Sequence, residues 1–307
     1  MATPVRIGID LGGTKIEIIA LSATGQTLWQ TRIATPSGDY RATLEAMARL
    51  VEQAERQLQT RATVGIGLPG SLSPASGRMR NANSVCLNGQ PLRDDIETLL
   101  QRPVAIANDA NCFTLSEATD GAAAGARSVF GVIVGTGTGA GLVFGGEIIE
   151  GCNGVAGEWG HNPLPWPNEE EWPGPDCWCG KQGCLETWLS GPGMAADHTR
   201  HSGQTLDARA IADAASHGDN AANDTLERYE QRMARGLAHI INTFDPEVIV
   251  LGGGLSNIDR LYTRVPALWK HWVFSDCVRT RLTPPRFGDA SGVRGAAWLG
   301  ATTEPVP

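Results

Sequence analysis

The chain has 307 residues, 41% hydrophobic and 19% charged, a composition that suits a soluble globular protein of one large or two medium domains. A net charge of -8 argues against phosphate-backbone binding as its main task, and no apolar run reaches the ~18 residues of a membrane span. Met1-Ala2-Thr3-Pro4 leads into a strand without a basic region or an apolar h-region, and the cysteine usage reads as metal-binding, so a cytoplasmic protein is expected.

Val5 to Asp10 reads as a buried strand, Gly12-Gly13 as a turn and Ile16 to Leu21 as the returning strand. Thr27 to Ala34 gives a third strand. Tyr40, Leu44, Met47, Val51, Ala54 and Leu58 then recur at helical spacing, with Asp39 placed as N-cap. Thr63 to Leu68 is a short apolar strand ending in Pro69-Gly70. Val104 to Ala107 is a strand that delivers Asn108-Asp109 at its carboxyl end, and a helix follows through Leu115 and Ala118. Val129 opens a second strand–turn–strand, in which Val132 to Val134 runs into Gly135-Thr136-Gly137-Thr138-Gly139-Ala140-Gly141 and returns as Leu142-Val143-Phe144. This unit echoes Ile7 to Leu21, and the two are either an internal duplication or unrelated hairpins. Arg228 to Phe244 is a helix with Met233, Leu237, Ile240, Ile241 and Phe244 on one face. Val248 to Leu251 is a strand ending in Gly252-Gly253-Gly254, and Gly295 to Leu299 a short final helix. The pattern is mixed α/β with two similar halves.

Three glycine-rich turns therefore follow strands: Leu11 to Lys15, Gly135 to Gly141, and Gly252 to Gly254. Glycines let backbone N–H groups approach phosphate oxygens, and Thr14, Thr136 and Thr138 add hydroxyls. Together with Asp10 they form a nucleotide signal. Gly65 to Gly70 matches a dinucleotide pattern, but Pro69 and Ser71-Leu72-Ser73-Pro74 are a poor helix start, so that reading is rejected. Gly174 to Lys181 resembles a P-loop only superficially, with Gln182 where Ser or Thr is needed.

Cys177, Cys179 and Cys184, with His161 upstream, are a full tetrahedral set for a structural zinc. Glycines between them let the chain bend back, and Cys-x-Cys is a poor disulfide pair. Unrelated thiols, or a fourth ligand elsewhere, are the competing readings. Cys86, Cys112, Cys152 and Cys277 read as ordinary buried thiols. Glu158 and Glu186 flank the set, a scaffold for a polar ligand.

Ile9-Asp10-Leu11-Gly12-Gly13-Thr14-Lys15, Asn108-Asp109-Ala110-Asn111, Gly135-Thr136-Gly137, Glu158-Trp159-Gly160-His161 and Cys177 to Cys184 occur in this order. Together they resemble the ROK family of sugar kinases and repressors, from residue 5 to about residue 299. Asn81-Ala82-Asn83-Ser84, Leu87-Asn88-Gly89-Gln90-Pro91, Gly160 to Trp166 and Ser291-Gly292-Val293-Arg294-Gly295 narrow the resemblance to ROK fructokinases. The resemblance implies an α/β fold of the actin-like ATPase (ribonuclease H-like) kind, duplicated, with two lobes around a cleft. The expected lobes are 1–112, completed by a C-terminal helix at about 290–307, and 113–289, which carries the zinc loop. It implies ATP-dependent phosphorylation of a hexose, D-fructose first, with mannose, N-acetylglucosamine, N-acetylmannosamine or glucose as alternatives. ATP, Mg2+, a structural Zn2+ and a homodimer are implied, and no nucleic-acid or membrane partner. A non-catalytic sugar sensor is the remaining reading; Asp109 and the phosphate loops argue against it, and Asp10 lies too early for a preceding DNA-binding domain.

On sequence alone Asp109 stands equally for a general base and for the cap of the following helix; the resemblance implies the base. Asp10 suits Mg2+, directly or through water, or the fixing of the Gly12-Gly13 turn. Lys15 is either a phosphate partner or a solvated side chain. By resemblance Gly135, Thr136, Gly137, Thr138 and Gly139 contact phosphates, as do Gly12, Gly13 and Thr14 in the first loop, and Gly252, Gly253 and Gly254 lie near the adenosine. The expected sugar site combines Asn83, Asn108, Asp109, Glu158, His161 and Glu186. Zinc on one nitrogen of His161 would leave the other for a sugar hydroxyl.

Overall fold

Gly12 closes the first hairpin by donating its N–H to the Lys15 carbonyl at 2.9 Å, which joins β1 (Arg6–Leu11) to β2 (Lys15–Leu21). The computed structural model describes residues 4–300; residues 1–3 and 301–307, the outer ends of the expected first lobe, lie outside the described residues. β3 (Thr27–Ala34), α1 (Tyr40–Leu58), β4 (Thr63–Leu68), the small ribbon β5 (Ser71–Leu72) with β6 (Met79–Arg80), α2 (Leu92–Leu100) and β7 (Ala105–Asn108) complete the first sheet and its cover. The sheet order is β3-β2-β1-β4-β7, antiparallel through β1 and parallel from β1 onward. Ile7, Ile9, Ile18 and Ile66 share one core with Leu44, Met47 and Val51 of α1, whose N-cap is Asp39 as expected.

After α3 (Asp109–Thr119) come β8 (Ser128–Val134), β9 (Thr138–Phe144) and β10 (Glu147–Ile148). Then follow α4 (Glu186–Leu189), α5 (Gly191–Ser202), α6 (Ala208–Ser216), α7 (Asn220–Phe244), β11 (Val248–Gly252), α8 (Leu261–Trp269), β12 (Arg281–Thr283) and α9 (Ser291–Leu299). The second sheet runs β10-β9-β8-β11-β12, with the same order and the same change from antiparallel to parallel as the first. The echo between the two strand–turn–strand units is thus one of whole sheets.

Each sheet carries one helix seated on glycines. A Cβ at Gly8 or Gly65 would collide with the α9 backbone at Val293 and Ala296. A Cβ at Gly141 would lie 2.6 Å from the Ala110 carbonyl oxygen in α3, and one at Gly131 would strike Thr114. The two helices also touch each other, since a Cβ at Gly295 would collide with the Cys112 carbonyl. α9 thereby closes against β1 and β4 although it is the last described element.

Some expectations need correction. α7 begins at Asn220, not Arg228, behind the N-cap Asp219, because its first turns bury Ala222, Thr225 and Leu226, too few large apolar groups to show a stripe. Asn108 caps α3, not Asp109. Of the four cysteines expected to be buried, Cys112 is; Cys86 is half-buried, and Cys152 and Cys277 are exposed in loops. Among the described residues no helix is long and apolar enough to cross a membrane.

The helix crossing has a direct test. Gly295→Ala forces a methyl into the Cys112 carbonyl and should cost about 1–3 kcal/mol. The thermal midpoint should fall by at least ~2 °C, read by circular dichroism. An unchanged midpoint would show that the helices are not in this contact.

Candidate active site

β7 hands over to α3 at Asn108-Asp109. The Asn108 side-chain oxygen accepts the Asn111 N–H at 2.7 Å, and this cap leaves Asp109 as the first helical residue. Asp109 Oδ1 accepts the Ala110 N–H at 2.8 Å. Asp109 keeps an open face toward solvent while protein packs densely around it. That partial removal from water raises its pKa, and the Glu158 carboxylate adds to the rise against the opposing N–H groups of Ala110 and Asp109 itself. Asp10, near the carboxyl end of β1, is pushed up to about 6 by burial and then by the charge of Asp109, with Lys15 opposing. Two carboxylates from parallel strand ends therefore share one poorly solvated region, an arrangement that favours a cation or a proton between them.

A cleft of about 580 Å³ is lined by Asn83, Asn108, Asp109, Glu158, His161 and Glu186 together with the loop Gly135 to Gly139. All six residues expected at the sugar site thus meet the second phosphate loop in one cavity. Asn83 also borders a recess of about 390 Å³ with Gly13 and Thr14. Gly135 and Thr136 border another of about 960 Å³ with Gly254, Gly191, Asp207 and Ala208. Gly12, Lys15, Gly252 and Gly253 line none of these three. Gly12 closes its hairpin, and Lys15 Nζ pairs with Glu17 at 3.0 Å. A Cβ at Gly252 would strike the Phe113 ring, and Gly253 turns at φ 79° beside Val134. Of the third loop, Gly254 lines the recess of about 960 Å³.

The cysteine run folds into a tight turn. Cys177 N–H donates to the Lys181 carbonyl at 2.8 Å and Gly180 N–H to the Cys177 carbonyl at 2.9 Å, with Gly180 in the left-handed region at φ 85°. The ligand atoms of His161, Cys177, Cys179 and Cys184 all lie within 4.8 Å of one another. Cys177 Sγ is 3.6 Å from His161 Nδ1, and Cys179 Sγ is 3.6 Å from Cys184 Sγ. Tetrahedral zinc with bonds of ~2.3 Å sets sulfurs ~3.8 Å apart, so the four residues fit that ion. Burial and then the neighbouring thiols push Cys184 up to about 12, a cost of ionisation that a dication would remove. With Nδ1 toward the thiols, Nε2 of His161 remains for another partner.

Sequence reasoning missed Trp178. Its ring meets His161 edge-on, centroids 4.8 Å apart, and its Nε1–H donates to Glu186 Oε1 at 2.6 Å. Glu186 Oε2 accepts the Thr138 N–H at 2.9 Å. Glu186 therefore ties the cysteine loop to the second phosphate loop. The only sequence signal was the position of Trp178 between two candidate ligands. Pro69 and Gly70, the end of the rejected dinucleotide pattern, and Ser71 just after it also line the cleft. The segment after His161 is anchored on α7: Arg235 donates to the Trp166 carbonyl at 2.6 Å and pairs with Glu171 at 2.7 Å. Burial would raise the Glu171 pKa, but Arg235, the Asn168 N–H and Arg232 outweigh it and hold the carboxyl at about 2.

A sequence profile of the ROK family matches residues 6–303. The chain is 40% identical to an N-acetyl-D-glucosamine kinase of Vibrio cholerae, over 95% of this chain and 98% of that one. The ROK hexokinase from Thermus thermophilus superposes with a TM-score of 0.87 at 31% identity, covering 97% of this chain and 98% of the other. A ROK family glucokinase from Streptomyces griseus, in complex with glucose and AMPPNP, does so with a TM-score of 0.77 at 27% identity over 97% and 99%. The duplicated sheets are those of the two-lobed actin-like ATPase fold. Matched along nearly its whole length, the chain belongs to the ROK family.

Proposed function

We propose that this ROK-family sugar kinase transfers the γ-phosphoryl group of ATP to N-acetyl-D-glucosamine, with Asp109 as general base. The observation that carries the reading is the cleft itself, where five polar side chains and the second glycine loop surround Asp109. The identity to an N-acetyl-D-glucosamine kinase supports that sugar over fructose, the first expectation from the motifs.

The chemistry follows from the geometry. Phosphoryl transfer needs positioning and charge neutralisation more than covalent help. A carboxylate whose pKa is raised toward the working pH is a better proton acceptor, and Asp109 is raised by its surroundings while open to the cleft. In the second glycine loop the Gly135 N–H is spent on the Gly137 carbonyl and the Thr138 N–H on Glu186, so the N–H groups of Thr136 and Gly137 between them suit the phosphates, and the recess beyond Thr136, with Gly254 and Asp207, suits the nucleoside. Asp10 suits Mg2+, whose charge would relieve its proximity to Asp109. His161, Cys177, Cys179 and Cys184 would hold zinc as a structural ion, and Trp178 would pass that order on to Glu186. The lobes, 1–112 with the C-terminal helix and 113–289, would close on the substrates. A homodimer is the assembly that the family resemblance suggests.

A coupled ADP-release assay over a hexose panel tests the substrate. N-acetyl-D-glucosamine should exceed fructose, mannose and glucose in kcat/KM by at least ~10-fold. Fructose as the fastest substrate would restore the first expectation. Asp109→Asn should lower kcat by ~10²–10⁴ while sugar still binds by calorimetry; turnover within tenfold of wild type would remove Asp109 as base.

Asp10 gives a pH signature. Its folded value of about 6 lies above the ordinary 3.8, so the stability it contributes is complete below pH 3.8 and is lost as pH rises through 6. Asp10→Asn should therefore stabilise the ligand-free protein at pH 8, by at most ~3 kcal/mol and less with solvent screening. The gain should fade toward pH 4, and Mg2+ with ATP should narrow it at pH 8. Equal gains at pH 4 and pH 8 in thermal melts would contradict the charge argument.

A further inference from the structure

We propose that a side cavity opening from the cleft is an acetamido pocket, the subsite that selects sugars carrying an N-acetyl group. The inference rests on the reading that the cleft binds the sugar. The cavity has a volume of about 80 Å³ and shares Ser71, Asn108 and Glu158 with the cleft, so it is continuous with the wall that the sugar would touch. One water needs only ~10–15 Å³, so the space admits a small substituent and not just a solvent molecule.

Its lining matches the parts of an acetamido group. Leu68 of β4, Leu72 of β5 and Ile106 of β7 supply apolar surface, with Leu68 and Ile106 buried. Such surface suits a methyl group and gains nothing from a sugar hydroxyl. Asn111 lines the same space at 6% exposure, and its side-chain Oδ1 is buried with no hydrogen-bond partner among the described residues. Its backbone N–H is spent on the Asn108 cap, and its side-chain oxygen is left to a donor from outside. An amide N–H is such a donor, and a buried acceptor left unpaired is costly. The Ser71 hydroxyl accepts from Arg80 Nε at 3.1 Å and keeps its proton to give to a carbonyl oxygen. Methyl, N–H and C=O each find a partner of the right kind. Glu158 and the exposed Arg93 and Glu150 complete the lining, so the discrimination is against a plain hydroxyl, which leaves the Leu and Ile surface facing water.

Two variants and a ligand series test this. Ala156 lines the cavity from the loop before Glu158, so Ala156→Leu fills it, and Asn111→Leu removes the acceptor. kcat/KM is measured for N-acetyl-D-glucosamine and for glucose, with circular dichroism to establish that each variant is folded. Each folded variant should reduce the ratio of the two values by at least ~10-fold. If the wild type prefers the N-acetyl sugar and folded variants keep its ratio within ~2-fold, the pocket is overturned and the substrate reading stands. If the wild type shows no preference for the N-acetyl sugar, both fall. Should neither variant fold, glucosamine acylated with acetyl, propionyl and benzoyl groups is compared on wild-type enzyme. kcat/KM should drop steeply with acyl bulk, and a flat series would overturn the pocket.

Discussion

The crossing of α3 and α9 is the contact on which the rest depends. Both helices lie on glycines of central strands, and they meet where Gly295 has no side chain to hold them apart. Any side chain at these positions would push a helix off its sheet. α3 begins at Asp109, so the same contact that joins the two sheets also sets the depth of the carboxylate in the cleft. The crowding that raises the Asp109 pKa is thus a product of backbone packing, not of a specific acidic partner alone.

The opposite wall of the cleft has no comparable packing. The segment through Trp172 and Trp178 leaves both indoles largely exposed, and it is rich in proline and glycine. A loop of that composition cannot fix itself by burying apolar surface. The thiols and His161 Nδ1 offer a different kind of anchor at one end, and the Arg232 and Arg235 pairs with Glu171 offer it at the other. From within the cysteine turn Trp178 donates to Glu186, and Glu186 accepts the Thr138 N–H. The cysteine turn and the second phosphate loop are thus joined through one carboxylate.

Much of this was legible in the sequence, and the parts that were not share a physical reason. The strands and α1 show because burial on one face imposes a period on large apolar residues. α5 opens with Gly191-Pro192-Gly193, and α8 contains Pro266, so both look like loops until tertiary contacts override propensity. The site residues show because polar groups at strand ends and thiols in a tight run have few structural uses. Gly252 and Gly253 are ambiguous for the converse reason: a glycine demanded by the Phe113 ring or by a left-handed turn looks the same as one demanded by a nearby nucleotide. Trp178 was invisible because an indole between two ligands declares nothing until its N–H has a partner.

Sugar identity is the hardest property to read, and the structure shows why the first expectation went to fructose. The segments that suggested it are largely scaffold. Asn88 clamps Ala82 with two hydrogen bonds of 2.9 and 3.0 Å, so the Asn81–Ser84 and Leu87–Pro91 segments hold each other. Arg294 pairs with Asp120 and donates to the Gly25 carbonyl at 2.8 Å, so the Ser291–Gly295 segment seats α9. Contacts of this kind hold the fold and carry no information about the sugar. Discrimination falls to side chains that meet only the variable part of the ligand, and there a leucine or isoleucine of an ordinary strand serves as well as any motif. Leu68, Leu72 and Ile106 carry no signature in the chain; only their shared cavity beside Asn108 gives them one.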